Sequence, residues 1–170
     1  GPDQGIDARA IADARASGLV AFNQTMGYWS GKQDPFELSV KEVAMWDALI
    51  RRKPDALIKV LSAVDIRRAH AENKLGVIYG FQNAAQLGAD TKRVEIFANL
   101  GVRVIQLTYN QRNALGDGAA VAENKGLTPF GREAVAALNK HRVLVDLSHS
   151  GENTCLDALA ASTQPVMITH

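Results

Sequence analysis

From residue 76 onward the chain alternates short, almost continuously apolar runs with stretches of helical character. That alternation restricts the fold more than any other feature of its 170 residues. The apolar runs fall at 76–81 (GVIYGF), 102–107, 143–148 and 165–169, with helical patterns at 91–100, 128–141 and 152–162 between them. A strand with one wet face alternates apolar and polar residues; a run apolar throughout fits a parallel sheet covered by helices on both faces. Parallel neighbours require right-handed crossovers, which build either an open doubly wound sheet or a barrel. No G-x-G-x-x-G follows any of the runs, so a nucleotide-binding open sheet has no support. The expected fold class is therefore α/β, a (β/α) TIM-type barrel. Eight units need roughly 250 residues, and the chain offers five candidate strands, the first at 19–24. The barrel is expected to be incomplete, with residues 1–170 forming a single domain.

The first half is less patterned. Residues 6–16 form an alanine-rich helix with Asp7 as a cap and Gly18 beyond its end. Tyr28 and Trp29, in the loop TMGYWSGKQDP, cover the core edge or line a pocket. Ser39 and Glu42 have the spacing of a capping box, followed by Val43, Met45, Trp46, Leu49 and Ile50 on one helical face. Pro54 should end that helix, and residues 56–74 read as helical or mixed. His70 belongs to a solvated stretch. Residues 111–126 make a connection longer than usual, which favours a functional or lid role.

Charge and composition exclude several partners. Nineteen basic residues against 18 acidic leave a net charge of +1, no electrostatic basis for nucleic-acid or anionic-membrane binding. No apolar run reaches the roughly 18–20 residues of a bilayer span, and GPDQGIDARA lacks the pattern of a signal peptide. Cys155 is the only cysteine; in its helical setting it reads as a small buried hydrophobe. A cytoplasmic or periplasmic location fits.

In a parallel barrel the C-terminal strand ends share one face, where the chemistry sits. Four successive strands bring Gln82 and Asn83, Tyr109 and Asn110, His149 and Ser150, and His170 to that face. Two neutral imidazoles on neighbouring strands suit a metal site. By strand parity His149 shares a side with Val145 and Leu147. Asp146 should then face the helix layer, accepting hydrogen bonds from a helix end or a basic side chain.

The runs GVRVIQLTYN, GLTPFGREAVAALNKHRVLVDLSHSGENT and STQPVMITH resemble the renal (membrane) dipeptidase family of metallopeptidases, peptidase family M19. The likeness is strong over residues 76–170 and looser before them. It implies a (β/α)₈ barrel of the metal-dependent hydrolase kind. This chain would be its N-terminal part, with the first strand and the C-terminal strands missing. The family uses a two-zinc centre, its first metal held by a His-x-Asp on the first strand, to cleave dipeptides, some with a D-residue on the C-terminal side, through a metal-activated water. The resemblance implies one or two zinc ions for the full-length protein.

By that resemblance His149 and His170 are ligands of the second metal, and Gln82 stands where a bridging glutamate is usual. Tyr109 stands where many members place a substrate-contacting histidine, and Asn110 beside it is a second substrate-binding candidate. The family's His-x-Asp does not occur in the sequence. Gln82 with LTYN resembles a bacterial branch of the family. An amide offers one neutral carbonyl oxygen where a carboxylate offers two anionic ones, and so makes a poor bridge between cations. Two further readings stay open: a repurposed or non-catalytic barrel that binds a small ligand without metal, and an inactive fragment that needs a partner chain. Expected partners are a dipeptide or other small molecule, together with a second copy or the missing barrel half.

Overall fold

The computed structural model describes residues 6–27 and 33–170. Its order is α1 (Ala8–Ala16), β1 (Ala21–Thr25), α2 (Pro35–Arg52), β2 (Leu57–Lys59), α3 (Ala63–Ala71), β3 (Leu75–Phe81), a 3₁₀ turn (Ala85–Leu87), α4 (Lys92–Asn99), β4 (Val102–Gln106), α5 (Pro129–Lys140), β5 (Leu144–Asp146), α6 (Glu152–Ala161) and β6 (Val166–Met167). All recorded strand pairings are parallel, in the spatial order β1-β3-β4-β5-β6. Tyr28 and Trp29 lie outside the described residues.

The strand missed in the sequence is β2. Three residues are too few for a visible period, and pairing with the first half of β3 is what makes them a strand. Because β1 occupies one edge of β3 from Gly76 to Gly80, β2 and β4 share the other edge: β2 pairs with Leu75–Val77 and β4 with Tyr79–Phe81, the β4 pairing shifting register between Tyr79 and Gly80. The described sheet thus has six strands rather than five.

Helix starts follow local chemistry. Asp7 accepts the Ala10 N–H at 2.8 Å and Thr128 the Gly131 N–H at 2.9 Å, with Pro129 in the first turn of α5. The Ser39–Glu42 capping box is a misreading. Asp34 caps α2 by accepting the Phe36 N–H, and Pro35 opens the helix. Ser39 is buried one turn in, its hydroxyl donating to the Pro35 carbonyl. The Glu42 carboxylate instead accepts the N–H of Gly27, just past β1. Met45 also departs from expectation: it is exposed, while Val43, Trp46 and Leu49 are buried at the i, i+3, i+6 spacing of one helical face. A capping box does occur at Ser62 and Asp65, opening α3.

The core lies between sheet and helices. Phe97 of α4 packs edge-on against Phe81 of β3, with centroids 4.7 Å apart, and tilts against Phe36 of α2 at 5.3 Å. Burying one such ring contributes about 2–3 kcal/mol, so this cluster fixes how α2 and α4 sit on β3. His70 is exposed, as expected. Cys155 is half-buried, and desolvation pushes its thiol pKa up, away from nucleophilic use. Among the described residues no helix is long and apolar enough to cross a membrane.

Candidate functional site

The C-terminal ends of β4, β5 and β6 converge. His149 and His170 meet with their Nε2 atoms 3.1 Å apart and ring centroids 5.0 Å apart. Tyr109 stacks on the His149 ring, 4.2 Å centroid to centroid at 25°. Asn110 Oδ1 lies 2.9 Å from His149 Nδ1, and Thr169 Oγ1 lies 2.9 Å from His170 Nδ1.

The strand parity assigned to His149 does not apply, because β5 ends at Asp146 and the chain turns before His149. Both His149 (φ 58) and Asn110 (φ 57) take the left-handed conformation. For side chains other than glycine this costs of order 1–3 kcal/mol each and persists only where the surroundings impose it. The surroundings here are residues 118–120 of the long loop. Ala119 N–H donates to the His149 carbonyl, Ala120 N–H to the Asn110 carbonyl, and Gly118 runs so close that a Cβ there would sit 2.3 Å from the Asn110 backbone. Thr108 adds a bond to the His149 carbonyl and one to the Ser150 hydroxyl. The connection read as a possible lid is therefore a strap over the site.

That strap is held by two carboxylates. Buried Asp117 receives the Arg112 guanidinium and the Lys125 N–H, and its carbonyl takes the Thr154 hydroxyl and the Gly151 N–H at the start of α6. The Arg112 guanidinium first, and the Lys125 N–H second, hold the Asp117 carboxyl below its ordinary pKa. Asp157 accepts the Leu127 N–H and pairs with Arg132 at 3.0 Å; that N–H, then Arg132, lower its pKa as well.

Asp146 corrects a second expectation. Among the described residues no helix end or basic side chain reaches it. It is buried at the β5 terminus, where Oδ1 accepts the Ser148 N–H and hydroxyl and Oδ2 accepts the Thr169 hydroxyl at 2.7 Å. This carboxylate, with the Ser148 hydroxyl that accepts the Thr169 N–H, joins the ends of β5 and β6. Thr169 closes its strand as a hydroxyl residue beside a histidine, as Ser148 does beside His149, whereas Gln106 is the residue that sequence reasoning passed over. Gln106 is fully buried and donates to the carbonyls of Gln82 and Thr108, tying β3 to β4. A polar residue closing a strand that, apart from Arg103, is apolar was the available signal.

Gln82 is not drawn into the histidine cluster. It lines an adjoining cavity of about 90 Å³ with Thr25, Met26, Gly27, Gln86 and Tyr109. Asn83 shapes the turn after β3, its Oδ1 accepting from the Ala85 N–H and the Asn113 amide. Asn110, expected on substrate, is engaged with His149. Among the described residues no group of three or more His, Cys, Asp or Glu is placed to hold a metal. The pair itself suits a cation: two nitrogens bound about 2.0–2.1 Å from one tetrahedral zinc lie roughly 3.3 Å apart, close to the observed 3.1 Å.

The model of the membrane dipeptidase family, peptidase family M19, matches residues 13–170. The chain belongs to that family. It is 30% identical to dipeptidase tcpJ of Claviceps purpurea, over 97% of this chain and 41% of that protein. Among solved structures, an amidohydrolase from Pseudomonas aeruginosa superposes with a TM-score of 0.87 at 37% identity, covering 95% of this chain and 48% of that one. A metallopeptidase from Rhodobacter sphaeroides, liganded with a phosphinate mimic of the dipeptide L-Ala-D-Ala, shares the fold with a TM-score of 0.75 at 22% identity, over 96% of this chain and 49% of that one. This M19 chain thus spans about half or less of these relatives' length, and its sheet is part of a (β/α) barrel.

Proposed function

We propose that the M19 protein carrying this chain is a metal-dependent hydrolase of dipeptides. His149 and His170 would hold one cation, and Tyr109 would face the substrate. The observation that carries this reading is the pair of Nε2 atoms 3.1 Å apart at the ends of β5 and β6, on a chain of dipeptidase family. A bound zinc supplies Lewis acidity toward a peptide carbonyl and activates water.

The chain's own residues supply positioning. Stacked Tyr109 keeps the His149 ring upright and walls one side of the site. The cavity behind Tyr109 is lined by neutral amides, from Gln82, Asn83 and Gln86, suited to hydrogen-bonding an uncharged part of the substrate rather than to neutralising two cations. The dipeptide mimic bound by the Rhodobacter sphaeroides relative supports dipeptides with a C-terminal D-residue as the first substrates to try. The test is metal analysis of the zinc-supplemented natural chain together with hydrolysis of L-Ala-D-Ala. Stoichiometric zinc with turnover is the expected result; metal-free protein would overturn the reading.

By the family resemblance Gln82 stands where a bridging carboxylate is usual, which favours a second reading, a one-metal site. In that case Gln82→Glu raises zinc bound per chain. If the variant binds no more metal than wild type, Gln82 is not the bridging position.

A further inference from the structure

Resting on the reading of His149 and His170 as a metal pair, the surrounding hydrogen bonds decide which nitrogen of each ring carries a proton. The two oxygens of Asp146 lie 2.7 Å from two hydroxyls, those of Ser148 and Thr169. A hydroxyl has one proton, and a carboxylate at that distance takes it in preference to a neutral acceptor. Thr169 Oγ1, its proton committed to Asp146, can then only accept from His170 Nδ1, 2.9 Å away. His170 is thereby the Nδ1–H tautomer, with its lone pair on Nε2. On the other ring, the amide oxygen of Asn110 lies 2.9 Å from His149 Nδ1. An amide oxygen only accepts, so His149 is also the Nδ1–H tautomer. Two Nε2 lone pairs then face each other across 3.1 Å, an arrangement that repels unless a cation lies between them.

We propose that Asn110, and Thr169 oriented by Asp146, are positioning residues. They fix both imidazoles as Nδ1–H tautomers and so aim two lone pairs at one divalent cation. The left-handed backbone at Asn110 and His149, imposed by residues 118–120, brings the Asn110 amide onto the ring. Asn110 thus serves the metal ligand rather than the substrate. The two devices are independent, one running through β6 and the other through the strap.

The test uses the natural full chain, with ¹⁵N-labelled histidine. In metal-free wild type above the imidazole titration range, long-range ¹H–¹⁵N spectra should show both rings as Nδ1–H. Thr169→Val and Asn110→Ala should each release their own ring into a tautomer mixture. Each should also weaken zinc binding, measured by competition with a chromogenic chelator, about 10-fold or more, as loss of a ligand's outer hydrogen-bond partner does. Thr169→Ser and Asn110→Asp, which keep the acceptor, should restore most of the affinity. Wild-type rings found as Nε2–H would overturn the proposal, as would unchanged zinc affinity in both Thr169→Val and Asn110→Ala. Wild type that binds no zinc would overturn only the metal reading, since the metal-free spectra still decide the tautomers. Should Thr169→Val fail to fold, the Asn110 pair of variants decides alone.

Discussion

His149 is where local strain and chemistry coincide. Its left-handed backbone is one that glycine would adopt freely, yet the position carries an imidazole. His149→Gly removes the strain together with the Tyr109 stack and the Asn110 hydrogen bond, terms of similar size and opposite sign. Melting should therefore stay within a few degrees of wild type. Zinc affinity should fall by more than the roughly 10–100-fold that outer partners cost. Calorimetry beside the chelator competition checks both halves, and a large drop in Tm with intact zinc binding would make His149 structural. The histidine pair was legible in the sequence because both residues close apolar runs. The role of Asp146 was not: parity assigns a side of the sheet, but its partner Thr169 sits 23 positions along the chain on another strand.

At the scale of elements, the strap of residues 107–128 has almost no regular structure, and its order comes from side chains. Gly118→Ala places a Cβ 2.3 Å from the Asn110 backbone, against atoms that cannot swing aside. We expect about 1–3 kcal/mol of destabilisation, the usual scale of overpacking, in denaturant titrations, and faster amide exchange at Ala119 and Ala120.

The anchors Asp117 and Asp157 both have depressed pKa values in the folded state. A carboxyl whose folded pKa lies below its unfolded value stabilises fully above the unfolded value, near 4. That contribution is lost as pH falls through the folded pKa. The strap should accordingly loosen below about pH 4, before the sheet does. Limited pepsin digestion across an acid series should cut first within 107–128. Equal protection of strap and sheet down to global unfolding would contradict this.

For the whole molecule, the apolar surface is uneven. Leu156, Leu159, Met167 and Ile168 are all exposed, on α6 and on or just past the last strand of the path, whose far edge pairs with no other described strand. An open strand edge flanked by exposed apolar side chains is a template for association. Residues 1–170 by themselves should therefore form dimers or larger species at micromolar concentration. The paired charges of Met167→Lys and Ile168→Lys should return them toward monomer. Sedimentation velocity separates the outcomes, and a clean monomer from the unmodified chain would show that this surface does not associate.

Much of this architecture can be read from local sequence. The order of strands and helices after residue 76 follows from apolar runs and helix caps confined to a few neighbouring residues. The histidines at two adjacent strand ends, and the absence of a phosphate-binding loop, are equally local. Tertiary structure alone decided the rest. It made a strand of Leu57–Lys59 through its pairing with β3 and turned Glu42 from a cap into a partner of Gly27. It set His149 into a strained turn held by residues 119 and 120 and aimed two ring nitrogens at one point. Each of these is fixed by a contact between residues far apart in the chain, and no local propensity carries the energy of such a contact.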